Sequence, residues 1–97
     1  MKMKKAYVLG SLTVKNRAFT TDYAAKVDAT LPPFEGKFLV RGGTIHYEEG
    51  KRSNVNVVLE FPSVEHMNNW FKSEAYQKIS PLRRSTSEGE FLLIEGV

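Results

Sequence analysis

Residues 55–71, VNVVLEFPSVEHMNNWF, decide the fold, because the spacing of apolar side chains changes within them from a strand repeat to a helix repeat. Val55, Val57, Leu59 and Phe61 alternate with Asn56, Val58 and Glu60, which predicts a strand with one strongly apolar face. Pro62-Ser63 stops that strand and offers Ser63 as a helix N-cap. Behind it, Val64, Met67, Trp70 and Phe71 share one helical face. A strand that runs straight into an amphipathic helix is half of a βαβ unit. The flanking segments then say which sheet it joins.

Upstream, KAYVLGSLTV at 5–14 alternates, with Tyr7, Leu9, Ser11 and Thr13 on one side and Val8, Gly10, Leu12 and Val14 on the other. Asn16 can cap a helix whose stripe is Phe19, Tyr23, Val27 and Leu31, and Pro32-Pro33 end it. A strand over Lys37 to Arg41 follows; Gly42-Gly43 bends it, and Thr44 to Glu48 is expected to resume it. The polar run 49–54 reads as a hairpin loop. Downstream, Ser73 caps a short helix carrying Ala75, Tyr76 and Ile79. Pro81 should break that helix, Leu82 to Ser87 adding a further turn, and EFLLIEGV at 90–97 forms the last strand. The order β-α-β-β-α-β predicts an α+β, ferredoxin-like domain over residues 1–97: a four-stranded antiparallel sheet with its helices on one face.

Such a sheet leaves its other face bare, and that face should be polar. It is not. Leu92 and Ile94 oppose Phe91 and Leu93, Tyr7 and Leu9 oppose Val8 and Leu12, and Val58 joins the second side. A patch of several hundred Å² exceeds what a monomer usually shows. Burying roughly 400 Å² of it would be worth about 10 kcal/mol before association costs. Two such sheets packed face to face solve the problem, so a homodimer through the open face is expected.

The 97 residues hold no cysteine, which removes disulfides and thiol chemistry and suits a reducing compartment. No apolar run approaches the roughly 18 residues of a membrane span. Met-Lys-Met-Lys-Lys imitates the start of a signal peptide, but the apolar stretch behind it is short and lacks a cleavage pattern. The expectation is a cytoplasmic protein. The net charge of +3 is spread out apart from Lys51-Arg52 and Arg83-Arg84, which argues against nucleic acid. RNA-binding domains share this topology, yet strand 55–61 carries valines and Glu60 where exposed aromatics are needed.

FLVRGG at 38–43, VVLEFPS at 57–63, the Trp70…Ser73…Tyr76 run, PLR at 81–83 and the terminal IEGV resemble the domain-of-unknown-function family 1330, over almost the whole chain. That family belongs to the dimeric α+β barrel superfamily. The resemblance implies a ferredoxin-like protomer pairing into a barrel, often with a ligand pocket between sheet and helices. It implies no established activity. The wider superfamily holds small monooxygenases, haem-degrading enzymes, muconolactone isomerase-like enzymes and stress-response barrels, so chemistry carried over from it is analogy.

Several residues are candidates for a site. Arg41 beside Gly42-Gly43 can clamp an anion, or else serve a structural ion pair. Glu60 in an apolar strand can act as a proton carrier, or else pair with Arg41 or Arg83. Together Arg41 and Glu60 form the catalytic candidate pair. Arg83, where the chain turns back to the last strand, can reach a pocket mouth, or else is a surface cation. Trp70 and Tyr76, with Phe71, Phe19 and Tyr23, can line an aromatic pocket, though aromatics at this spacing more often form core. Asn16 is a cap first and a ligand donor second. His66 is a reserve ligand residue on the solvent side of its helix; neither it nor His46 has metal-ligand spacing, so neither metal nor cofactor is expected. The functional reading is a small aromatic or acidic metabolite bound by a dimer, with cofactor-independent chemistry open. The alternative is a non-catalytic structural or stress-response module.

Overall fold

The computed structural model describes residues 3–50 and 55–97. Its strands are β1 (Ala6–Val14), β2 (Lys37–Arg41), β3 (Val55–Phe61) and β4 (Ser87–Glu95), and its main helices are α1 (Ala25–Thr30), α2 (Val64–Lys72) and α3 (Glu74–Thr86). A π-helical segment, Phe19–Ala24, leads into α1, and a 3₁₀ turn, Pro32–Phe34, leaves it. The sheet order is β2-β3-β1-β4 with every neighbouring pair antiparallel, the ferredoxin-like arrangement. This is the α+β fold that the alternation and caps predict.

The caps act as read. Asn16 Oδ1 accepts from the Ala18 N–H at 2.8 Å, Ser63 Oγ from His66 N–H at 3.1 Å, and Ser73 Oγ from Tyr76 N–H at 3.2 Å. The stripe Phe19, Tyr23, Val27 and Leu31 is buried throughout, although its first part is π-helical where a regular helix was expected. Three expectations fail. Thr44 to Glu48 does not resume the strand: β2 ends at Arg41 and Gly42 turns the chain away with φ +64°. Pro81 does not break its helix but lies inside α3. Tyr76, Ile79 and Arg83 are buried on both sides of it, and that packing outweighs the lost hydrogen bond. Finally, β4 starts at Ser87 rather than Glu90, because Gly89 (φ +135°) lets its backbone lie against β1 where a Cβ would stand 2.0 Å from the Ser11 carbonyl oxygen. The hairpin expected at 49–54 falls partly outside the described residues.

One face of the sheet packs on the helices. Ala6, Val8, Leu12, Leu59 and Phe61 meet Met67, Trp70, Tyr76 and Ile79, all buried. The Trp70 ring stacks 4.1 Å from Tyr76 and 5.3 Å from Phe61, centroid to centroid. Its indole N–H donates to Thr30 Oγ1 at 2.9 Å, and Thr30 in turn donates to the Val27 carbonyl, so the buried polar atoms are satisfied. Among the described residues no helix covers the other face. On it Val40 pairs with Val58, Val58 with Leu9, and Leu9 with Leu92, one apolar row across all the strands. Leu92 and Ile94 are 43% and 47% exposed there.

Candidate ligand-binding site

A cavity of about 240 Å³ lies between the inner face of the sheet and the segment Phe19–Thr30. Phe19, Thr20, Tyr23, Ala24 and Val27 form its helical wall; Leu12, Val14, Phe38, Val55, Val57, Leu59 and Phe91 form its sheet wall. The helical wall is largely the π-helical segment, a geometry frequent at functional sites. The lining is overwhelmingly apolar, and Thr20, Tyr23 and Arg41 are the residues in it that carry polar groups. Arg41 and Gly42 stand at the end of β2, where that strand turns off the sheet.

Arg41 is held in place by its own chain. Its Nη1 donates to both carboxylate oxygens of Asp28 (2.8 and 3.0 Å), Nη2 to the Ala24 carbonyl (3.3 Å), and its Cζ sits 4.3 Å from the Phe38 ring centre. The guanidinium therefore borders the cavity with its charge already balanced. It clips β2 to α1 and closes that edge of the cavity.

Glu60 does not join it. Glu60 is on the open face, paired across β1 with Tyr7 and across β2 with Lys37. Its carboxylate lies 3.3 Å from Lys37 Nζ and 3.5 Å from Lys5 Nζ, not beside Arg41 or Arg83. Desolvation pushes its pKa up, but the hydrogen bond from Lys37 and the charges of Lys5 and Lys37 outweigh this and hold it below the usual carboxylate value. The sheet thus stands between Glu60 and the cavity, and within one protomer the expected Arg41–Glu60 pair is not assembled.

Tyr23 links the cavity to the core. Its hydroxyl shares a 2.8 Å hydrogen bond with that of Tyr76. Burial pushes the Tyr23 pKa far above the ordinary tyrosine value, the neighbouring Tyr76 adds to this, and the Arg83 guanidinium pulls the other way. Tyr76 and Trp70 are fully buried and outside the cavity lining, so they support its wall from behind. Arg83 is not the surface cation of the simpler reading: it is 9% exposed, with Cζ 3.7 Å from the Phe91 ring centre. His66 lies away from the cavity, its Nδ1 2.6 Å from Ser63 Oγ and its Nε2 3.2 Å from the Glu35 carboxylate, which ties α2 to the 3₁₀ turn. Asn16 acts as a cap. Among the described residues, no group of three or more His, Asp or Glu side chains is placed to hold a metal ion.

Thr20, Phe38, Val57 and Phe91 in the lining, and Asp28 beside Arg41, are among the residues that the sequence did not bring to the site. The alternation of β3 marks Val55, Val57 and Leu59 as inward. Nothing local marks the gap left between them and the helix.

A ferredoxin-like α+β domain with an apolar cavity between sheet and first helix is the class these features define. The chain belongs to the family described as "Domain of unknown function (DUF1330)", whose model matches residues 5–97. No curated protein matches it. Among solved structures it is similar to the RPA0582 protein of unknown function from Rhodopseudomonas palustris, at 13% identity, TM-score 0.69, covering 97% of this chain and 83% of that one. The methylated form of RPA0582 gives a TM-score of 0.78 at 12% identity, covering 99% and 83%. SnoaB, a cofactor-independent oxygenase from Streptomyces nogalater, gives 0.61 at 16% identity, covering 94% and 91%. At these identities the likeness establishes the fold. No helix among the described residues is long and apolar enough to cross a membrane.

Proposed function

We propose that the protein is a homodimer that binds a small, largely apolar and aromatic molecule in the cavity of each protomer. The cavity carries this reading. An apolar void of about 150 Å³ accepts a single benzene ring, so about 240 Å³ has room for a substituted one-ring or compact two-ring compound. Tyr23, Thr20 and Arg41 supply the few polar contacts that would orient it. The dimer rests on the apolar row Val40–Val58–Leu9–Leu92, which no element among the described residues covers. The cysteine-free sequence supports the cytoplasm as its compartment.

The fold shared with a cofactor-independent oxygenase supports chemistry on the bound molecule as a second reading. In it the Tyr23–Tyr76 hydroxyl pair, of which Tyr23 lines the cavity, is the group that would move a proton. Thermal-shift titration with phenols, naphthols and benzoates tests the binding. The expected result is a saturable rise in Tm for the wild type and none for Ala24→Phe, which fills the cavity. A wild type indifferent to all of them, or an Ala24→Phe variant that responds equally, would sink the assignment.

A further inference from the structure

We propose that the cleft where α3 passes into β4 is an oxyanion site built on Arg83, taking the phosphate or carboxylate group of a small molecule. The cleft, of about 300 Å³, is bordered by Leu12, Arg83, Arg84, Ser87, Glu88 and Gly89. Leu12 borders both this cleft and the apolar cavity, while Phe91 lies against Arg83 on one side and lines the cavity on the other. The two spaces are neighbours but separate, so this proposal does not rest on the ligand proposed for the cavity.

Arg83 carries a buried charge that no carboxylate pairs with among the described residues. An arginine stays protonated at any accessible pH, and a buried cation is costly unless paired. Arg83 is nine-tenths buried, yet among the described residues no carboxylate lies within ion-pairing distance of it, and its Nε has no hydrogen-bond partner. The Phe91 face and the nearby Tyr23 hydroxyl offer partial compensation only. Arg41 shows the contrast, since it has a bidentate carboxylate from its own chain although it is far more exposed. Next to Arg83, Arg84 spends one contact on Ser80 Oγ at 3.4 Å and leaves a second cation at the cleft. The carboxylate of Glu88 is occupied by Lys15 and does not neutralise Arg83. A planar guanidinium beside a second cation suits an oxyanion, which can accept two parallel N–H donors.

The test is a Tm titration with inorganic phosphate and with acetate, against sodium chloride at matched ionic strength. The wild type should show a saturable rise with at least one of the two, roughly 6–11 °C at ten times its dissociation constant, beyond the chloride control. The preferred anion tells phosphate from carboxylate chemistry. Arg83→Met should abolish the response while remaining at least as stable as wild type in anion-free buffer, since it removes an unpaired buried charge. Should that variant fail to fold, Arg83→Lys decides the matter: it keeps the charge, loses the fork, and should weaken binding about tenfold or more. Ala24→Phe should respond like wild type, which separates this site from the cavity. A wild type that responds to both anions only as to chloride would overturn the proposal. So would an Arg83→Met or Arg83→Lys variant with undiminished response.

Discussion

The two faces of the sheet are made by the same strands and nearly the same chemistry, yet they meet different fates. Val8, Leu59 and Phe61 on the inner face are closed over by Trp70, Met67 and Tyr76, whereas Leu9, Val58 and Leu92 face outward with no helix above them among the described residues. A side-chain period of two puts apolar residues on both sides wherever they run consecutively, and helices on one side can bury only half of them. The inner face therefore holds the protomer together and, where the π-helical wall stands off β3, leaves a cavity. The outer face contributes little to protomer stability and is free to make an interface.

The largest expected effect attacks the inner face. Trp70→Ala removes the ring stacked on Phe61 and Tyr76 and the N–H that Thr30 Oγ1 accepts, so urea denaturation should show a loss of about 3–5 kcal/mol. That is a large share of what a domain of this size possesses. The outer face should answer differently. Leu92→Glu introduces a charge at the centre of the proposed interface and should weaken dimerisation by about a hundredfold or more, while each protomer stays folded. Sedimentation at micromolar concentration would then report the 11.0 kDa protomer, with unchanged far-UV circular dichroism. Leu93→Glu, one residue on and pointing inward, should unfold the protein instead. If both variants behave alike, the contrast between the faces is wrong.

Smaller effects belong to the charged edges. Arg41→Ala opens the cavity mouth but breaks only a half-exposed pair with Asp28, so its stability cost should be about 0.5–1 kcal/mol by chemical denaturation. Glu60 gives the weakest signal. Its folded pKa lies below the ordinary value, so its stabilisation is complete above that value and is lost as pH falls through the carboxylate range. Stability measured between pH 6 and pH 3 should fall less steeply for Glu60→Gln than for wild type. A steeper fall would mean that the folded state raises the Glu60 pKa instead.

Most of the architecture was legible residue by residue. The alternation of 55–61, the caps Asn16, Ser63 and Ser73, and the stripe Phe19–Tyr23–Val27–Leu31 are local patterns with local causes, and they specify four strands, the helices and an apolar outer face. Local rules failed where packing outbid them: Pro81 stays helical because buried side chains flank it, and Thr44–Glu48 leaves the sheet once Gly42 turns. The candidate site was read less well. Phe19, Tyr23 and Arg41 were nameable, but their arrangement depends on how far α1 stands from β3, a distance that no pattern along the chain encodes. Which arginine finds a carboxylate is likewise settled in three dimensions. Asp28 comes within reach of Arg41 where α1 meets the end of β2, while at the turn of α3 into β4 Arg83 is buried and Glu88 of the same cleft pairs with Lys15 instead. Periodicity and capping act over a few residues and are written in the sequence, whereas voids and ion pairs depend on elements distant in the chain and take form only when the layers close.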